Sequence, residues 1–183
     1  MSVGSSGTTS TAASGVPHVA RTWGLRGRTP TQRHRCRHRQ KVSQIAAVTL
    51  SPVHRRAGLY WQTHLNTAID QERVLRFVKD LSRHLRGPMV IVWDNINTHR
   101  ARRVKDYIRR HGRVHAEHLP PYAPDLNPAE WLFEDGKCHA LANHGLDDVR
   151  QLHRRVHNHA RRVKRSQKKL RSFIRGCALP LRL

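Results

Sequence analysis

Asp94 follows directly on the uninterrupted apolar run Met89–Trp93, with Asn95 next and His99 one helical turn further on. A carboxylate at the C-terminal end of a buried strand stands where open α/β sheets carry ligand-binding groups. Downstream, Asp125-Leu126-Asn127-Pro128-Ala129-Glu130 brings a second carboxylate into the first turn of a helix, with Asn127 as its cap and Pro128 at its first position. Two carboxylates from separate elements meeting at one sheet edge make a hard-oxygen site suited to Mg²⁺ or Mn²⁺. Such ions activate a water or sugar hydroxyl and stabilise the leaving oxygen in phosphodiester chemistry. Taken singly, each residue has a plainer reading. Asp94 also suits a turn or a helix cap, Glu130 a capping box with Asn127, and His99 a surface or capping position.

The elements that must position these residues follow from the pattern of apolar side chains. Val42–Leu50 and Leu59–Thr63 read as strands joined by a turn at Arg55–Gly58. Val74, Val78, Leu81 and Leu85 fall at helical spacing within about 70–86, and Gly87-Pro88 closes that helix. Met89–Trp93 is a strand covered on both faces. Ala101, Val104 and Ile108 mark a second helix ending at Gly112, and Val114–Leu119 a further strand. The loop Pro120–Pro124 leads to the helix at Asn127-Pro128, and two more helices span about 147–165 and 166–175. This order predicts an α/β layer with a mixed sheet.

Charge narrows the partner. The 183 residues hold 35 Lys and Arg against 12 Asp and Glu, a formal net charge of +23. Residues 1–69 carry 10 basic side chains and no acid, residues 70–136 carry 12 and 10, and residues 137–183 carry 13 and 2. A nearly neutral middle between basic ends predicts a compact core with surfaces that meet phosphate. Arg150, Arg154, Arg155, Arg161, Arg162, Lys164, Arg165, Lys168 and Lys169 are the candidate contacts to the DNA backbone.

Other classes drop out. No apolar stretch reaches the roughly 20 residues of a membrane helix. Residues 1–15 lack the basic-then-apolar pattern of a secretory signal. Three widely spaced cysteines (Cys36, Cys138, Cys177) do not make a disulfide scaffold, so a reducing cytoplasm is expected, with Cys138 and Cys177 as partly buried thiols. His34-Arg35-Cys36-Arg37-His38 is too tightly spaced for an ordinary zinc finger. Tyr122 and Trp131 flank the carboxylates and suit packing better than base stacking.

The stretch Val90-Ile-Val-Trp-Asp-Asn-Ile-Asn-Thr-His99, followed by His118-Leu-Pro-Pro-Tyr-Ala-Pro-Asp-Leu-Asn-Pro-Ala-Glu130, closely resembles the catalytic core of DDE-type transposases. The nearest group is the bacterial insertion-sequence branch related to mariner elements, from which the second segment departs only at Ala123, where Ser is usual. Arg21–Pro30, Gly58–Thr63 and Leu141-Ala142-Asn143 extend the resemblance. It implies an RNase H-like fold, with Asp94 and Glu130 as the second and third acids of a metal-binding triad. They stand 36 positions apart, as in that branch. Asn95, His99 and Asn127 would support the site, the ion would be Mg²⁺ or Mn²⁺, and the substrate double-stranded DNA, as transposon ends and target.

The family's first catalytic Asp lies on the first strand, shortly before the loop that here begins at Arg21. No acid precedes Asp70, and residues 1–15 are Ser, Thr, Gly and Ala without an apolar run. The expectation is therefore a partial RNase H-like domain over 17–143 that lacks its first strand. It would follow a disordered 1–16 segment and precede basic C-terminal helices over 144–183. Such a chain would be catalytically poor or inactive alone, its first Asp supplied from elsewhere, and its expected partners are a second copy as a homodimer or a fused upstream helix-turn-helix segment. Its alternative is an inactive DNA-binding transposase remnant or regulator.

Overall fold

The computed structural model describes residues 5–14, 24–28, 31, 41–143, 148–177 and 179. Its strands are β1 (Ser5–Ser14), β2 (Lys41–Leu50), β3 (Ala57–Leu65), β4 (Met89–Trp93) and β5 (Val114–His118). Its α-helices are α1 (Gln71–His84), α2 (Arg102–Arg110), α3 (Pro128–Asp135), α4 (Val149–Arg165) and α5 (Gln167–Gly176). The strands form one mixed sheet in the order β3-β2-β1-β4-β5. β1 runs antiparallel to β2 and parallel to β4, β2 pairs antiparallel with β3, and β4 pairs parallel with β5.

This corrects the expectation of a missing first strand and, over Ser5–Ser14, that of disorder within 1–16; residues 1–4, 15 and 16 lie outside the described residues. Ser5–Ser14 is the central strand, in register with β2 from Ser6↔Thr49 to Ser14↔Lys41 and with β4 from Ser5↔Val90 to Thr8↔Trp93. The physical reason lies in the ladder. A central strand is held through backbone hydrogen bonds to both neighbours, and these do not require an apolar run or an alternating pattern. The His34–His38 run lies outside the described residues.

Helices cover the sheet on both faces. Ile45, Ala47, Met89, Ile91 and Trp93 pack against Val74, Phe77, Val78 and Leu81 of α1 and Val104 of α2. Ala46, Val48 and Leu59 pack against Leu132 and Phe133 of α3, Ala160 and Val163 of α4, and Leu170, Phe173 and Ile174 of α5. Successive β2 residues thus enter different cores, which is why its centre, Ile45–Val48, is an uninterrupted apolar run rather than an alternation.

Local signals set the helix starts. Asp70, Asn127, Asp148 and Ser166 each accept a backbone N–H in the first turn of the helix that follows them. A π-helical stretch, Gly136–Leu141, continues α3. At that junction Asp135 lies 2.6 Å from Lys169 Nζ, 3.1 Å from His139 Nδ1 and 3.5 Å from His159 Nε2, tying α3 to α4 and α5. Burial holds the His159 imidazole below its usual range, with Asp135 pulling the other way. Cys138 is exposed and Cys177 buried, so neither is the half-buried thiol expected. No helix among the described residues is long and apolar enough to cross a membrane.

Candidate active site

The C-terminal ends of β4 and β5 and the loop that carries the chain into α3 enclose a cleft of about 160 Å³, lined among others by Asp94, Asn95, Tyr122, Asn127 and Glu130. Asp94 is the first residue beyond β4, with Trp93 turned into the core beneath it. Its Oδ1 accepts a long 3.5 Å bond from the Ile96 N–H, while α2 begins only at Arg102, from an Ala101 cap that makes no side-chain bond. The helix-cap reading of Asp94 is therefore set aside.

His99 is fully buried, stacked on Trp93 with ring centroids 4.7 Å apart and planes 9° from parallel. Its Nδ1 lies 2.6 Å from Asp94 Oδ1. It is a wall behind the carboxylate rather than a surface or capping residue. Asn95 braces the same edge: its Nδ2 donates to the Leu119 carbonyl and its Oδ1 accepts from Arg100 at 2.7 Å. The His118 ring Nδ1 lies 3.4 Å from the Asp94 carbonyl oxygen.

Glu130 reaches the cleft from the first turn of α3. Asn127, buried, caps that helix by accepting the Ala129 N–H at 3.1 Å, while its own backbone N–H is taken by the Pro124 carbonyl at 2.9 Å. That carbonyl fills the role a capping-box glutamate would have played. Burial raises the Glu130 pKa first, with Asp94 and Glu134 adding to the rise and Lys137 opposing it. The mutual repulsion of Asp94 and Glu130 is the electrostatic sign of two carboxylates converging on one space.

Stability depends on pH accordingly. A carboxylate whose folded pKa is raised favours folding fully below its unfolded value of 4.5, and that contribution is lost as pH rises through the folded value. Glu130→Gln is therefore expected to melt above the parent near neutral pH, with the gap closing as pH falls toward 4.5. Thermal melts across that range check it. A parent and variant with the same pH profile would show that Glu130 carries no such cost.

The third candidate position is set by strand register. Thr8 pairs with Trp93, so the next residues along the two parallel strands are Thr9 and Asp94. In the backbone ladder the β1 residue that runs alongside Asp94 is thus Thr9, not an acid. Among the described residues no group of three His, Cys, Asp or Glu side chains converges as metal ligands. Two carboxylates fit one hard divalent ion that keeps several waters, and do not fit a pair of ions sharing a bridging ligand.

The other residues singled out lie elsewhere. Arg150, Arg154, Arg155, Arg161, Arg162, Lys164 and Arg165 line the exposed side of α4, and Lys168 is exposed on α5. None of these makes an ion pair among the described residues, whereas Lys169 is held by Asp135. Tyr122 is fully exposed with φ 58°, against the packing expected of it. Trp131 is 43% exposed, its ring lying against Gly176. Sequence reasoning missed that β1 runs alongside the Asp94 strand. The spacing of β1 from the Arg21 loop was available as a signal, but β1 itself was not recognised.

The fold is shared with solved structures, among them three of Mos1 transposase. A Mos1 transposase paired-end complex with left transposon end superposes with a TM-score of 0.64 at 18% identity, covering 94% of this chain and 51% of that one. A Mos1 mariner paired-end complex with Mn gives 0.66 at 18%, with the same coverage. The catalytic domain of Mos1 mariner transposase gives 0.55 at 13%, covering 96% of this chain and 83% of that one. The chain thus spans about half the length of the first two. No curated protein matches it in sequence. The five-stranded mixed sheet with helices on both faces is the RNase H-like fold of these catalytic domains. Residues 10–153 match the family model of the DDE superfamily endonucleases, and the chain belongs to that family.

Proposed function

We propose that this chain is the catalytic core of a transposase that acts in the cytoplasm on double-stranded DNA, at transposon ends and target. The observation that carries the reading is the convergence of Asp94 and Glu130 on one cleft at the ends of β4 and β5, in a chain of the DDE family. The Mos1 relatives include complexes with a transposon end and with Mn. Asp94 and Glu130 would hold Mg²⁺ or Mn²⁺, which when bound activates a water or a 3′ hydroxyl and stabilises the leaving oxygen.

The chain's own residues do the rest. His99 backs Asp94 and limits the rotation of its carboxylate, Asn95 keeps the β4 and β5 ends together, and Asn127 fixes the first turn of α3 on which Glu130 stands. The cations of α4 hold the phosphate backbone. A helix-turn-helix segment or a second copy would supply recognition of the element's ends.

The carboxylate count favours a second reading. With only the carboxylates of Asp94 and Glu130 in the cleft, the site holds one ion weakly, and the chain acts as a DNA-binding regulator that competes for transposon ends. Nicking of supercoiled plasmid in Mn²⁺ separates the two. Under the first reading the parent nicks, Asp94→Ala falls to the metal-free background, and DNA affinity stays within about twofold. A parent that binds DNA without nicking it leaves the regulator. Cleavage confined to RNA strands would sink both and identify a ribonuclease of the same fold.

A further inference from the structure

Tyr122 stands out on three counts. Its backbone is left-handed, with φ 58°, a conformation that disfavours a bulky side chain and that Gly or Asn would adopt more readily. Its side chain is fully exposed, so no packing in the described structure compensates for that conformation. It also stands on a loop braced by Pro120, Pro121 and Pro124, at the lip of the cleft that Asp94 and Glu130 line. Strain of this kind persists where the surrounding structure over-determines it, and it gathers at ligand clamps. Here the prolines and the cap at Asn127 hold the ring out toward whatever enters.

The chemistry of the visitor follows from the surroundings. A chain of net charge +23 draws in a polyanion, and the fully exposed tyrosine ring offers no cation to its phosphates. What an aromatic face accepts at such a place is the uncharged, flat part of a nucleic acid, a base outside its pair. We propose that the Tyr122 ring is a stacking platform for one unpaired nucleobase adjoining the strand that lies in the cleft. This deepens the transposase reading and rests on it. It also assigns the loop a task apart from chemistry, that of holding a distorted duplex in place.

The test uses the full chain and two duplexes, one fully paired and one carrying a single unpaired 2-aminopurine. Tyr122→Asn keeps the left-handed backbone favourable and removes the ring, and Tyr122→Phe keeps the ring. The parent and Tyr122→Phe are expected to quench the unpaired 2-aminopurine and to prefer that duplex. Tyr122→Asn should lose the quench and weaken on that DNA by roughly 5- to 150-fold, the range for one stacked base, while binding the paired duplex as before. If Tyr122→Asn retains the parent's preference and quench, or weakens on both DNAs alike, the platform is overturned while charge-driven DNA binding stands. If the parent binds neither duplex, the DNA reading falls and the platform falls with it.

Discussion

Thr9→Asp is expected to bind Mn²⁺ at least about tenfold more tightly than the parent, because affinity for a hard divalent ion grows with the count of charged oxygen ligands. The register Thr8↔Trp93 puts position 9 alongside Asp94 on the neighbouring parallel strand, about 4.8 Å away between backbones. If the register carries over to the side chains, a carboxylate at position 9 adds a third oxygen donor to those of Asp94 and Glu130. The same change should cost stability without metal, since three like charges would then converge. The variant's melting temperature should therefore fall in chelator and rise with Mn²⁺ more steeply than the parent's. Thr8→Asp is the control, because adjacent strand positions belong to opposite faces of a sheet. Free-ion titration by electron paramagnetic resonance, with melts in chelator and in Mn²⁺, reads both effects. Equal affinities for parent, Thr8→Asp and Thr9→Asp would show that β1 does not bring position 9 to the cleft.

The second large effect concerns α4. Arg154, Arg155, Arg161 and Arg162 recur at helical spacing on the exposed side, opposite the buried Leu152, Val156 and Val163. Among the described residues no carboxylate pairs with them, so in the free protein they repel one another at short range. Replacing all four with Gln should lower affinity for paired duplex by about two orders of magnitude at low salt. It should also reduce the slope of log K against log salt by about 0.9 for each phosphate that is no longer neutralised. The same variant should melt higher than the parent at low ionic strength, since like-charge repulsion within the helix is relieved. That rise separates weaker phosphate binding from a damaged fold. An unchanged salt slope would mean that α4 faces something other than phosphate.

How much of this was legible in the sequence depends on which force holds each residue. β4 was readable over its whole length, because a five-residue apolar run flanked by Gly87-Pro88 and Asp94 has few other fates. α3 was readable from Asn127-Pro128, a cap and first-turn pair with a local mechanism. β1 was not, because none of its residues is larger than Thr and its place depends on backbone pairing with strands 27 or more residues further along the chain. The burial of His99 was hidden for a related reason: a histidine enters a core only when a specific partner awaits it, here Trp93 and Asp94. Tyr122 misled in the opposite direction. Aromatic rings are expected to pack, and only the backbone angle and the proline bracing reveal one held away from the core.

The place of β1 at the centre of the sheet bears on how the chain is made. Its antiparallel partner β2 follows within a few dozen residues, but its parallel partner begins 85 positions on, at Val90 for Ser5. At ordinary rates of synthesis the ribosome needs roughly 4 to 17 seconds to cover that distance. From the completion of β3 at Leu65 until β4 emerges, a β1–β2–β3 meander would leave its β1 edge open, and open edges recruit strands from other chains. A Ser, Thr, Gly and Ala segment is a poor template for such recruitment, being weakly apolar and without large side chains to pack. The blandness that conceals this strand from pattern reading therefore also keeps the half-made sheet from capturing its neighbours on the polysome.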